Sequence, residues 1–150
     1  MIRYYEHTIG ENCLMTESSI YVNRTSVGVP SDPVSGTFTG EAWRDVIVPR
    51  RDGINVADVF FTPCARTDWH THEGGQLLIV RSGEGYIGDE HGAHRVAAGD
   101  TVWTPPGIRH WHGAAPDRTF LHTAVSIRGV EWSDPVTDGE YARWTAPDGN

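Results

Sequence analysis

An all-β domain is the fold class this sequence predicts, and three observations predict it. From Thr37 onward the chain divides into short segments rich in Val, Ile, Phe, Trp and Thr. Clusters of turn-forming residues separate them, at RRDG, EGG, SGEG, DEHG, AAGD, PPG and APD. Helix signals are few. Many short strands between frequent turns make a sandwich or a barrel.

Taken in order, residues 1–36 form a weakly patterned lead-in, with one candidate strand from Ser19 to Thr25 and a loop over VGVPSDPVSG. Candidate strands then span 38–48, 54–62, 66–72, 76–81, 84–88, 93–97, 101–104, 109–112 and 119–127. Near the end, Thr137 followed three residues later by Glu140 has the pattern of a capping box, which predicts a helical turn over Thr137–Tyr141. The expected organisation is an N-terminal arm over 1–36, a barrel over 37–133 and a C-terminal tail over 134–150. We expect the arm to cover a sheet edge, because an unpaired edge is a liability.

The 150 residues are one domain's worth of chain, long enough to bury a core without disulfides. Hydrophobic residues at 38% and charged residues at 21% describe a globular chain. The net charge of -8 argues against nucleic acid as a partner, since phosphate contacts need clustered cations. No apolar run reaches membrane-spanning length, and MIRYYEHTIGENC lacks the basic-then-apolar pattern of a signal peptide. The expected location is the cytoplasm, with Cys13 and Cys64 as free thiols. All 12 basic residues are arginine.

The chemistry lies in histidine spacing. Four of the eight histidines form two pairs, His70 and His72 in DWHTHEGGQ and His110 and His112 in PPGIRHWHG. Residues two apart in a strand point the same way, so each pair projects together. Two such pairs on neighbouring strands can meet around one cation, since neutral imidazole is the commonest side-chain metal ligand. One HxH alone is a weak signal, because a single buried histidine is usually a hydrogen-bonded core residue. Two pairs beside Gly/Pro turns in a β-rich chain are a much stronger one. By alternation Glu73 points away from the imidazoles. The flanking Trp69 and Trp111 should face the opposite surface of their sheets. Trp43 and Trp103 read as core packing, Glu41 as a solvated strand residue, and His91 and His94 as solvated turn residues. His112 either lines the pocket as a second base or packs behind the site.

These motifs resemble those of the cupin superfamily. His70, His72, Gln76 and Gly83 match its first motif, and Gly99, Pro105, Gly107 and His110 its second. Two positions depart from the pattern: Gln76 stands where glutamate is usual, and Cys64 where the motif opens on glycine. The resemblance covers roughly residues 37–133 and implies a double-stranded β-helix, a jelly-roll-like barrel. WHTH…GQ…GDTVWTPPGIRHWHGAAP looks closer still to small bacterial monocupins grouped with carboxymuconolactone decarboxylases, some of them manganese- or iron-dependent hydroxynitrile lyases. That likeness implies one divalent ion, Mn or Fe, held by His70, His72, Gln76 and His110. It also implies His122, in LHTAVS, as acid/base, with Ala57, Val59 and Ser126 as pocket residues.

Three neutral histidines and a neutral glutamine would leave the ion its full double charge, making it a stronger Lewis acid than a glutamate-bearing site. Affinity order alone favours Zn, Ni or Cu, so zinc or nickel is expected in purified protein. The expected function is a metal-dependent enzyme whose small organic substrate coordinates the ion, in the hydroxynitrile-lyase version by cleaving a cyanohydrin. Alternatives are an Fe-dependent dioxygenase, a cyclase or isomerase of a biosynthetic pathway, and a non-catalytic metal- or ligand-binding module. A homodimer is the expected assembly.

Overall fold

The computed structural model describes residues 20–24 and 29–146. Strands β1 (Asp32–Pro33), β2 (Phe38–Thr39), β3 (Ala42–Arg51) and β4 (Ile54–Phe61) lead into β5 (Arg66–Thr67), β6 (His70–His72) and β7 (Gln76–Asp89). Then follow β8 (Ala93–Ala97), β9 (Thr101–Thr104), β10 (His110–Ala114), β11 (Phe120–Ile127), β12 (Val130–Trp132) and α1 (Asp138–Thr145). The strands form one curled sheet in the order β1-β3-β4-β11-β7-β10-β5-β2, with β8 and β9 on β7, β6 on β10, and β12 on β6. Every pairing is antiparallel. This is the expected all-β barrel.

The curl depends on β7, 14 residues long. Its first half pairs with β11 from Gln76 to Gly83, and its second half with β10 from Gly85 to Asp89. Gly83 sits between the halves with φ 74, and a Cβ there would lie 1.8 Å from the Thr119 backbone oxygen. Only glycine allows both that backbone and that approach. SGEG therefore marks a bend inside one strand, not the break expected between 76–81 and 84–88. The two glycines resemble a stop locally, but the β10 and β11 ladders carry the strand through.

Other boundaries shifted for local reasons. Gly40, with φ 81, splits 38–48 into β2 and β3, and Asp68 and Trp69 split 66–72 into β5 and β6. Asp32–Pro33, read as loop, adds to the edge of β3. A proline is tolerated there because an edge strand has one side without ladder bonds. β12 was not foreseen; its three residues pair with β6 and carry no period. Ser19 and Thr25, the ends of the first candidate strand, lie outside the described residues, and residues 20–24 carry no strand. The capping box is present: Glu140 N–H donates to Thr137 Oγ1 at 3.2 Å, and Glu140 Oε2 accepts from Thr137 N–H at 2.8 Å. The helix it starts runs two turns, longer than expected.

Two apolar clusters hold the barrel. Inside, Phe61, Leu78, Val80, Ile87, Val96 and Phe120 fill one end. Outside, Trp69 and Trp111 pack under Val136 and Tyr141 of the tail, so they face away from the histidines as expected. Each large apolar side chain buried this way contributes roughly 1.5–3 kcal/mol. Trp103 departs from expectation: it is 51% exposed on β9, which among the described residues pairs with β7 alone. Along β4 and β11 the inward residues shrink from Phe61 and Phe120 to the registered pair Ala57 and Ala124, so the other end stays open.

Replacing Gly83 tests the bend. Gly83→Ala should lower stability by roughly 3–4 kcal/mol, combining clash and strain. Gly36→Ala, at φ 87 with nothing within 4 Å, should cost only about 1 kcal/mol, from backbone strain alone. Urea unfolding of both variants measures this; equal losses would show that the approach to Thr119 is not limiting.

Candidate metal centre

The open end of the barrel gathers the polar side chains. His70 and His72 point inward from β6, His110 and His112 from β10, and His122 from β11; each is at most 5% exposed. His110 stands opposite His70 in the ladder, and their ring centroids are 4.2 Å apart. Gln76 opens β7 directly opposite Ser126 of β11.

Backbone carbonyls orient two of the rings. His70 Nδ1 donates to Asp68 O, and His110 Nδ1 to Ile108 O, both at 2.9 Å. A carbonyl only accepts, so each ring carries its proton on Nδ1 and keeps a lone pair on Nε2. In one orientation of its amide, Gln76 Nε2 donates to Ser126 Oγ at 3.0 Å, and Gln76 Oε1 lies 3.1 Å from His110 Nε2, lone pair against lone pair. Turned over, the amide donates to His110 Nε2 and the Ser126 hydroxyl donates to the amide oxygen, since a hydroxyl serves either role. Two donors at right angles around an ion, each about 2.1 Å from it, stand about 3 Å apart. The first orientation suits a shared cation, with the amide oxygen and His110 Nε2 both facing it. The sequence holds no signal for the carbonyls of Asp68 and Ile108, because any residue could supply them.

Three imidazoles, those of His70, His110 and His112, place one nitrogen each within 4.8 Å of one another, a group able to hold a metal ion. His72 falls outside that group, its ring 5.2 Å from that of His70 and 5.7 Å from that of His110. Both of its nitrogens are buried without a hydrogen-bond partner. Such a group costs about 1–3 kcal/mol unless something satisfies it. The donor set, imidazole nitrogens beside an amide oxygen, fits a divalent transition-metal ion. Glu73 stands apart, its carboxylate 3.5 Å from Arg128 and 65% exposed.

His112 and His122 form a second unit. The backbone N–H of His112 donates to Thr67 Oγ1 at 3.1 Å, and its Nδ1 lies 2.9 Å from His122 Nε2. Phe61 and Phe120 enclose His122 at centroid distances of 5.5 and 5.3 Å. His122 is therefore sealed behind His112, with no part in the cavity wall.

Burial sets the charge state of the cluster. Desolvation pushes His72 down to about 4 and His122 to about 3, and holds His110 below its usual value. His70 and His112 lie well below theirs, first through desolvation and then through neighbouring imidazoles. At neutral pH all five are uncharged, the form that binds metal.

A cavity of about 400 Å³ opens over this cluster. Ala57, Val59 and Ser126 line it, as do His70, His72, Gln76 and His112. Sequence reasoning missed the rest of the wall. Trp132 lies tilted against His70 with ring centroids 4.6 Å apart, Phe38 lies 6.1 Å from Trp132, and Arg44, Arg50 and Arg128 edge the mouth.

Comparison with known proteins agrees with this architecture. Residues 58–123 match the family described as the cupin domain. An (R)-mandelonitrile lyase of Granulicella tundricola is 44% identical over 113 residues, spanning 71% of this chain and 86% of that protein. A cupin-like protein of Thermotoga maritima superposes with a TM-score of 0.75 at 37% identity, covering 81% of this chain and 98% of that one. The polyketide cyclase RemF of Streptomyces resistomycificus has a TM-score of 0.65 over 81% of this chain and 92% of its own, but at 17% identity it shows the fold alone. Among the described residues, no helix is long and apolar enough to cross a membrane.

The lowered histidines give the metal-free protein a pH-dependent stability. Above about pH 6.5 neither state protonates them; below it the unfolded chain takes up protons that the folded cluster refuses, for His72 down to about pH 4. Stability should fall with pH across that window, each histidine adding up to about 1.4 kcal/mol per pH unit. Urea unfolding in chelator at pH 7.5 and 5.0 checks this. A midpoint unchanged between the two would contradict the neutral cluster.

Proposed function

The chain belongs to the cupin family, and we propose that it is a metal-dependent lyase that cleaves a cyanohydrin-like substrate to an aldehyde and cyanide. The observation that carries this reading is the buried, uncharged histidine cluster opening into a cavity of substrate size. The 44% identity to a relative named (R)-mandelonitrile lyase supports the choice of reaction.

In this reading His70, His72, His110 and Gln76 hold one divalent ion, Mn or Fe. His72 and His112 compete for membership. Both keep a buried, unpaired Nε2, that of His112 with Nδ1 engaged by His122, and with His72 as the ligand His112 is left as the base. When bound, the ion supplies Lewis acidity toward an oxygen of the substrate.

The remaining work falls to the protein. His112 lines the cavity, and with Nδ1–H donating to His122 its Nε2 is free to accept a proton. It takes the hydroxyl proton of the cyanohydrin as the C–C bond breaks, and the bonding pair leaves on cyanide. His112 then returns the proton, giving HCN and the aldehyde. His122 acts through His112, holding its ring and sharing its proton, which adjusts the expectation that His122 itself meets the substrate. Ala57 and Ala124 leave room for the substrate body, and Val59 and Trp132 exclude water around it. A second copy of the chain is part of the proposal, covering the exposed Ile79 and Trp103 on the outer face of β7 and β9.

Variants separate the roles. His72→Ala should lose most bound metal and all cleavage of mandelonitrile. His112→Ala should keep at least about four-fifths of the metal while cleavage falls about a hundredfold or more, the lower range for a lost general base. Metal analysis beside aldehyde release measures both. Full metal in His72→Ala would sink the ligand set, and full activity in His112→Ala would sink the base.

A further inference from the structure

The cavity mouth is cationic in a chain whose net charge is -8. Arg44, Arg50 and Arg128 line it against one carboxylate, Asp32. Arg50 donates to Arg128 O at 3.1 Å, and Arg128 lies 3.5 Å from Glu73. Arg44 has no hydrogen bond or ion pair among the described residues. It sits in register with Val59 across β3 and β4, and Val59 is 6% exposed and lines the cavity. Directly paired residues share a face, so Arg44 also faces inward. Asp32, its partner across β1, comes no closer than the 4 Å of an ion pair.

We propose that the substrate is an organic anion, an aromatic aldehyde or cyanohydrin bearing a carboxylate, which Arg44 receives at the mouth while the reacting oxygen faces the histidine cluster. This rests on the metal-centre reading above. A cationic mouth over an uncharged histidine cluster draws anions and repels cations. A guanidinium fork matches a carboxylate in two parallel hydrogen bonds, and here one fork stands unused. Phe38 and Trp132 supply flat walls for an aryl body between the two ends.

Manganese-loaded protein titrated calorimetrically with 4-formylbenzoate and with 4-formylbenzamide, matched in shape and differing in charge, tests the proposal. The benzoate should bind about tenfold tighter, and Arg44→Gln should bring the pair within about twofold at unchanged metal content. Raising salt to about 0.5 M should narrow the difference. Equal affinities in the unmodified protein, or a preference that survives Arg44→Gln, would overturn the proposal. Binding of neither ligand would overturn it together with the open metal centre. A protein that takes up no manganese yet keeps an Arg44-dependent preference would refute the metal reading and leave the anion site standing.

Discussion

Everything at the open end depends on keeping imidazoles uncharged inside a protein. Five histidines share a space from which water is nearly excluded, and a charge on one raises the cost of a charge on the next. Neutrality makes each ring a ligand or a base, but it leaves nitrogens without partners, at His72, His112 and His122. The two apolar clusters offset that cost, and an ion shared by the converging lone pairs would remove much of it. In this protein stability and reactivity therefore oppose one another within a few ångströms.

The sheet arrangement turns this chemistry into geometry. β7 belongs to both halves of the barrel, so Gln76 on one half and the β10 histidines beside the other are fixed to a single strand. The inward residues of β4 and β11 run from phenylalanine to alanine, which closes one end and opens the other. Site and cavity arise from one gradient of side-chain size along two paired strands.

Much of this was legible in the sequence. Period two put His70 with His72 and His110 with His112 on shared faces, and the structure has them there. The same alternation along β11 puts His122, Ala124 and Ser126 on one face, which the fold turns inward. Its limits have physical causes. Strand identity survived, but strand length did not, because SGEG reads locally as a stop while the β10 and β11 ladders carry β7 through it. β12 has no pattern of its own and forms because β6 offers it an edge. Cys64 occupies a left-handed backbone at φ 68, the conformation expected of the motif's usual glycine, so the turn persists without it. The cationic mouth was invisible because Arg44, Arg50 and Arg128 come together only through pairing. So was the screening of His122 by His112, which needs two strands in register.

The outer cluster has a consequence for selectivity between ions. β10 is buried along its whole length, with the barrel interior on one side and Trp69, Trp111 and Tyr141 on the other. Tyr141 also ties its hydroxyl to Ala114 O at 2.8 Å. A strand gripped on both faces cannot re-aim His110 to suit a larger or smaller guest. Gln76 and His72 flank the Glu73–Gly75 turn, whose amides donate to Gly129 O, Ile127 O and His72 O at 2.9, 3.0 and 3.3 Å, so the whole donor set would hold a guest to a narrow range of sizes.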